Sequence, residues 1–211
     1  SDDNRYLFIS AANSTSGNEL YLKDLSVPNS PIVAIHKGFE YDVDVLDNIG
    51  TTLFIVTNLK APNKRIVTVD VANPGVENWK DLIPETEQVL NPSTGAGYIF
   101  ANYMKDAVSV VKQFDYKGKL IRTIALPGVG TASGFGGKAK DKELYFSFTN
   151  YVTPGTTYTF FPDSGKSSVY VKPKVDFVSE NYESKQVFFT SKDGTKVPMI
   201  ITHKKGLQLY G

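Results

Sequence analysis

The chain has 211 residues, 41% hydrophobic and 12% aromatic, with 23 Lys and Arg against 22 Asp and Glu for a net charge of +1. That balance gives no electrostatic reason to expect nucleic acid or an anionic membrane as a partner. Cysteine is absent, which excludes a disulfide framework, a thiolate nucleophile and any Cys-ligated metal.

The polar, acidic start Ser1-Asp2-Asp3-Asn4 does not read as a signal peptide, and no apolar run approaches the ~20 residues of a spanning helix. The expected compartment is the cytoplasm or the periplasm. With 12 Tyr and 13 Phe against one Trp and two Met, the composition favours strands.

Taken in chain order, a strand at 6–10 leads through a turn at Gly17-Asn18 to a second at 19–24 and an outer strand at 32–36. An inner strand at 41–46 opens the next unit, followed by 52–56, a turn at Pro62-Asn63-Lys64, 65–70 and an outer strand at 79–83. The third unit has an inner stretch before Tyr98, then 98–101, 107–115 and 120–125. The fourth has a Gly-rich inner stretch around Gly134, then 143–147, a turn at Pro154-Gly155, 156–161 and 168–171. The equivalent positions Leu7, Leu53, Ile99 and Leu144 are spaced by 46, 46 and 45 residues. A period of about 40–50 residues with four strands per unit is the signature of a β-propeller blade. The first unit lacks its inner strand, giving about three and three-quarter blades.

Helical signals are poor. The only candidate, 77–88, is interrupted by Pro84, and Asp81 to Glu85 reads as the end of an outer strand and a turn. Near the end of the chain Asp193-Gly194 marks a tight turn and Lys196 to His203 a strand. The terminal strand, 186–204, is expected to pair at the edge of a sheet or with another chain.

Candidate sites are few. A Ser/His/Asp arrangement needs a base, and only His36 and His203 are available. Both sit among lysines and are expected to be solvated, with no nucleophile beside them. Asp42 and Asp44 fall on one face of a predicted strand, where paired carboxylates could hold Ca²⁺. The favoured reading is that they line the propeller channel or bond to loop amides of a neighbouring blade. The run from Gly128 to Gly137 lacks the spacing of a phosphate cradle and reads as a turn into a central strand, where Gly lets backbones approach. The aromatic groups Tyr145, Phe146, Phe148 and Tyr158, Phe160, Phe161 could stack sugars or bases, but are expected to fill the space between blades. Asn13-Ser14-Thr15 matches a glycosylation acceptor, relevant only to a eukaryotic secreted protein.

Several segments also resemble the prolyl oligopeptidase family of serine peptidases. Trp79-Lys80-Asp81-Leu82-Ile83-Pro84-Glu85 is one. Phe148-Thr149-Asn150-Tyr151-Val152-Thr153-Pro154-Gly155 followed by Tyr158 is another. Ser191-Lys192-Asp193-Gly194-Thr195-Lys196-Val197-Pro198-Met199, with His203-Lys204-Lys205-Gly206, completes the series in order. The resemblance implies a seven-bladed propeller inserted in an α/β-hydrolase peptidase domain that cleaves short peptides after proline. The propeller would cover the active site and exclude folded substrates. The nucleophile elbow and the downstream Asp and His are absent. No catalytic, cofactor-binding or metal-binding residue is therefore assigned, and no substrate contact is carried over to Glu19 or Lys23.

The expected architecture is all-β: a partial β-propeller over 1–178 and a short stub of an α/β-hydrolase domain over 179–211. The expected role is a non-catalytic propeller fragment of a proline-specific serine endopeptidase, gating short proline-containing peptides and inactive without the missing peptidase domain. The alternative is a stand-alone propeller scaffold that binds a protein or peptide. No cofactor is expected. The bare faces of the end blades suggest a homo-oligomer.

Overall fold

The computed structural model describes residues 1–208. The strands are β1 (Tyr6–Ala11), β2 (Glu19–Asp24), β3 (Ile32–His36), β4 (Val43–Ile49), β5 (Thr52–Thr57), β6 (Arg65–Asp70), β7 (Lys80–Ile83), β8 (Leu90–Gly95) and β9 (Tyr98–Lys105). They continue as β10 (Val108–Phe114), β11 (Leu120–Thr123), β12 (Thr131–Gly134), β13 (Leu144–Thr149), β14 (Thr156–Phe161), β15 (Lys166–Val171), β16 (Tyr182–Thr190) and β17 (Lys196–Lys204). Each sheet is an antiparallel meander: β1-β2-β3, then β4 to β7, β8 to β11 and β12 to β15, with β16-β17 as a separate two-stranded sheet. The first sheet lacks the inner strand, as the repeat predicts. In place of a helix near Glu77 stands a single 3₁₀ turn, Val76–Asn78.

Successive sheets bury one face each against the next, and the core is divided into three layers accordingly. Tyr6, Leu20 and Leu22 of the first sheet meet Leu53, Ile55, Val67 and Val69 of the second. Phe54, Ile66 and Ile83 meet Leu90, Ile99, Ala101 and Tyr103. The last layer is aromatic: Phe100 stacks on Phe135 at 5.4 Å, Phe135 on Phe146 at 4.6 Å and Phe146 on Tyr158 at 5.1 Å. Offset ring pairs of this kind contribute about 0.5–1.5 kcal/mol each beyond their area.

Side-chain alternation corrects one expectation about the aromatic groups. Phe146, Phe148 and Phe160 are buried between sheets, but Tyr145 and Phe161 point to the opposite face of the fourth sheet and are each 40% exposed. Gly134 behaves as expected, since at φ +117 its absent Cβ would lie 2.6 Å from the carbonyl of Tyr145.

Each outer strand carries one extra residue. Leu20 opposes His36 while Tyr21 opposes Ala34, so Ile35 is inserted. Leu82, Ile121 and Tyr170 occupy the same role in the other three sheets. Pro92 and Pro198 both lie in strands at a sheet edge, where the missing N–H costs no ladder bond.

The terminal strand departs from expectation. It joins no blade edge: β17 pairs along its whole length with β16, from Tyr182 opposite Lys204 to Thr190 opposite Lys196. The turn explains this. Asp193 Oδ1 accepts the Thr195 amide at 3.0 Å, and Gly194 takes φ +86, so the nearest partner strand is the one just made. The last four-stranded sheet ends at Val171 and the hairpin starts at Tyr182. Of the expected 179–211 segment, residues 209–211 lie outside the described ones.

Candidate functional site

In an antiparallel meander the connections alternate between two faces of the molecule. One face carries the loops 12–18, 37–42, 58–64, 84–89, 105–107, 124–130 and 150–155. These loops are tied to one another by polar side chains just before, or at the start of, the third strand of a unit. Asn18 Nδ2 donates to the Val43 carbonyl at 2.8 Å, and its Oδ1 accepts the Val43 amide at 2.9 Å, so a buried side chain extends the ladder into the next blade. Asn63 Nδ2 donates to Thr86 O at 3.0 Å, and its carbonyl accepts the Leu90 amide at 2.8 Å. The Ser109 hydroxyl accepts the Ala132 amide at 3.0 Å. These latches were missed by sequence reasoning, although Asn18, Asn63 and Ser109 recur at spacings of 45 and 46 residues.

The hairpin sits on this same face. Gln186 Nε2 donates to the carbonyl of Asp106 in the β9–β10 turn. Ile200 closes a cleft of about 310 Å³ whose other wall includes Ala107, Val129, Thr131 and Tyr151. The loop that presents Tyr151 is fixed by its neighbour. Asn150 Nδ2 donates to Val129 O at 2.9 Å while Oδ1 accepts the amides of Val152 at 3.0 Å and Thr153 at 2.7 Å. Tyr151 itself is 77% exposed at the lip of the cleft. At the base of the hairpin Lys172 pairs with Glu180 at 3.1 Å. Glu180's own amide, and then Lys172, hold its carboxyl below the usual range.

The sequence candidates are dispersed across this frame. His36 is buried rather than solvated, and its Nδ1 lies 3.1 Å from Asn18 O, so that nitrogen carries the proton. His203 is buried as well, with Nδ1 2.9 Å from Lys204 O and Nε2 3.6 Å from the Glu183 carboxylate, beyond hydrogen-bond reach. Both corrections have one cause. Each ring is buried with its Nδ1 beside a backbone carbonyl, while the adjacent Lys37 and Lys204 are exposed. Among the described residues neither imidazole bonds a serine hydroxyl.

Asp42 and Asp44 do not lie in the same strand. Asp42 precedes β4, accepts the Gly17 amide at 2.9 Å and lies 3.5 Å from Lys64 Nζ, whereas Asp44 is exposed. Asp42 thus binds a loop amide of the neighbouring blade, as favoured from sequence. Among the described residues no group of three His, Asp or Glu side chains could hold a metal ion. The run from Gly128 to Gly137 leads into β12 and no helix follows. Asn13 is exposed in the 12–18 loop.

The opposite face has a cleft of about 480 Å³ lined by Asp3, Asp47, Tyr116, Lys138 and Lys140. Hydrogen bonds from Ser1 and Asn48 hold the Asp3 carboxyl down to about 2. Tyr116 donates to Asp47, and burial first, then that bond, push its hydroxyl far above the usual range.

A family model described as the prolyl oligopeptidase N-terminal β-propeller domain matches residues 1–173. The chain is 56% identical over 210 residues to a prolyl endopeptidase of Elizabethkingia miricola and 55% identical to that of Elizabethkingia meningoseptica; 100% of this chain and 30% of each relative are covered. A solved structure from an analysis of two prolyl endopeptidases superposes with a TM-score of 0.83 at 35% identity, covering 98% of this chain and 30% of that one. Apo prolyl oligopeptidase B from Galerina marginata gives a TM-score of 0.86 at 26% identity, covering 99% of this chain and 31% of that one. The chain spans about 30% of the length of the curated relatives it matches. With its repeat, its four-stranded sheets and this match over most of its length, the chain belongs to the prolyl oligopeptidase N-terminal β-propeller family.

Proposed function

We propose that the chain is the propeller portion of a longer proline-specific serine peptidase, where it admits short peptides to an active site carried elsewhere and holds back folded proteins. The hairpin from Tyr182 to Lys204 is then the first piece of the peptidase domain. The observation that carries this reading is the seating of that hairpin on the latched loop face, through Gln186 on Asp106 and Ile200 in the Tyr151 cleft. Binding sites form preferentially where two such parts meet. Similarity to two prolyl endopeptidases favours this over a free-standing scaffold.

The test is to read the gene beyond Gly211, express its whole product, and assay a chromogenic peptide linked through proline. The whole product is expected to cleave it and the 211-residue chain is not. Joining the two parts by Asp106→Cys with Gln186→Cys in the whole product should slow cleavage and do so more for longer peptides. A reading frame that stops at Gly211, or hydrolysis by the short chain alone, would overturn the reading.

A further inference from the structure

The third sheet departs from the repeat at one end. In the other three sheets the ladder between the second and third strands of the unit stops at equivalent rungs: Ala11 opposite Glu19, Thr57 opposite Arg65 and Phe148 opposite Thr156. The equivalent rung of the third sheet is Tyr103 opposite Val110, since 11, 57, 103 and 148 are spaced by 46, 46 and 45 residues. There the ladder continues, through Met104 opposite Ser109 and Lys105 opposite Val108. Two extra rungs carry its tip about 7 Å further along the strands. Where the other units close with the loops 12–18, 58–64 and 150–155, this one closes with Asp106 and Ala107 alone.

That tip has an ill-suited residue for its turn. A two-residue hairpin turn with both central residues at positive φ favours Gly at the second, because a Cβ there crowds the backbone. The β8–β9 turn of the same sheet conforms, with Ala96 at φ 53 and Gly97 at φ 77. At the tip Asp106 has φ 52 and Ala107 φ 64. A short polar side chain eases Asp into this region, whereas Ala gains nothing there. The strained residue stands where the β16–β17 hairpin arrives. The Asp106 carbonyl accepts Gln186 Nε2, and Ala107 lines the cleft that Ile200 closes.

We propose that the β9–β10 tip is a fixed stop for the hairpin, with Ala107 as a positioning residue whose methyl group sets how closely β16 and β17 sit above the loop face. Backbone strain that the surroundings maintain points to a duty beyond the turn itself. The extra rungs bring the stop to the hairpin, and their ladder keeps it from yielding. The left-handed backbone presents the Asp106 carbonyl to Gln186, and the methyl narrows the cleft at Ile200. The stop rests on the register and the turn. Its consequence for activity rests on the peptidase reading: there it sets the width of the passage between the propeller and the peptidase part, and so the length of peptide admitted.

The experiment is hydrogen exchange on the 211-residue chain with Ala107→Gly, a change for which the two roles of the residue give opposite signs. Glycine relieves the turn, so a residue that served the turn alone would leave β9, β10 and the hairpin at least as well protected as before. Loss of a stop should leave β9 and β10 as protected as before while the amides of β16 and β17 exchange several-fold faster. Ile200→Ala should also loosen the hairpin, and adding Ala107→Gly to it should change little further, because both act on one contact. Unchanged or slower hairpin exchange in Ala107→Gly would overturn the proposal, and so would two substitutions whose effects simply add. In the whole gene product Ala107→Gly should raise kcat/KM for a long proline-linked peptide relative to a short one, and an unaltered ratio would refute the passage role. A whole product that cleaves neither peptide would sink the peptidase reading instead, with hairpin exchange still deciding the stop.

Discussion

The junction between the third and fourth sheets and the seat of the hairpin lie in the same chain but are held by different physics. The first buries a run of stacked rings, Phe100, Phe135, Phe146 and Tyr158, so the two sheets cannot part without exposing large apolar area. The second rests on one amide-to-carbonyl contact from Gln186, one apolar contact through Ile200 and an exposed ion pair at Lys172 and Glu180. The hairpin's main internal support is its own ladder and ordered turn, which alone give a two-stranded sheet only marginal stability. The difference teaches that the four sheets form one cooperative body, and that the hairpin is a weakly coupled attachment able to open locally.

That contrast can be broken most forcefully at its strong end. Phe146→Ala removes the middle of the aromatic stack and should cost about 3–5 kcal/mol in denaturant unfolding. Next comes the latch between the first two sheets. Asn18→Ala strands the amide and carbonyl of Val43 in a buried site, and unsatisfied groups of this kind cost about 1–3 kcal/mol each. A loss of about 2–3 kcal/mol is expected, with the 12–18 and 37–42 loops losing amide protection first. Gln186→Ala lies at the weak end. Global stability should stay within about 0.5 kcal/mol, while hydrogen exchange in β16 and β17 quickens. A large global loss would show that the hairpin belongs to the cooperative body after all.

The smallest expected effect is with pH. Asp193 is held below the usual carboxylate range chiefly by the Thr195 amide, and Glu180 chiefly by its own amide and then Lys172. Both carboxyls are easier to ionise in the folded hairpin than in an open chain. Their contribution is therefore complete above the ordinary carboxylate values near pH 4, and is lost as pH falls through the lowered ones. Once corrected for the slower intrinsic exchange in acid, amide protection in the hairpin should fall at low pH while the carboxyl-free aromatic junction of the third and fourth sheets keeps its own. Equal response in both regions would remove the distinction.

Much of this architecture was legible in the sequence, because a hydrophobic strand recurring every 45 or 46 residues leaves few alternatives. The missing inner strand of the first sheet and the close approach at Gly134 followed from the same reasoning. What escaped was directional. Tyr145 and Phe161 belong to aromatic clusters, and only strand register shows that they turn away from Phe146 and Phe160. The burial of His36 and His203 could not be inferred from lysine neighbours, since adjacent residues on a strand point apart. The latches at Asn18, Asn63 and Ser109 were present as a polar echo of the apolar period, but Asn before a strand reads locally as turn chemistry alone. As for the site, sequence located the Asp193-Gly194 turn and the strand after it, while the pairing of that strand with β16 and the hairpin's seat on the β9–β10 turn were not read from it.

The inserted residue in each outer strand has a consequence for how such a protein survives at high concentration. A propeller leaves one open rim per blade, and an unbroken rim would recruit strands from neighbouring molecules. Here Ile35, Leu82, Ile121 and Tyr170 each interrupt the regular spacing of donors and acceptors. A flat incoming segment finds two or three matched bonds and then a mismatch, which makes the periphery a poor seed for fibril growth.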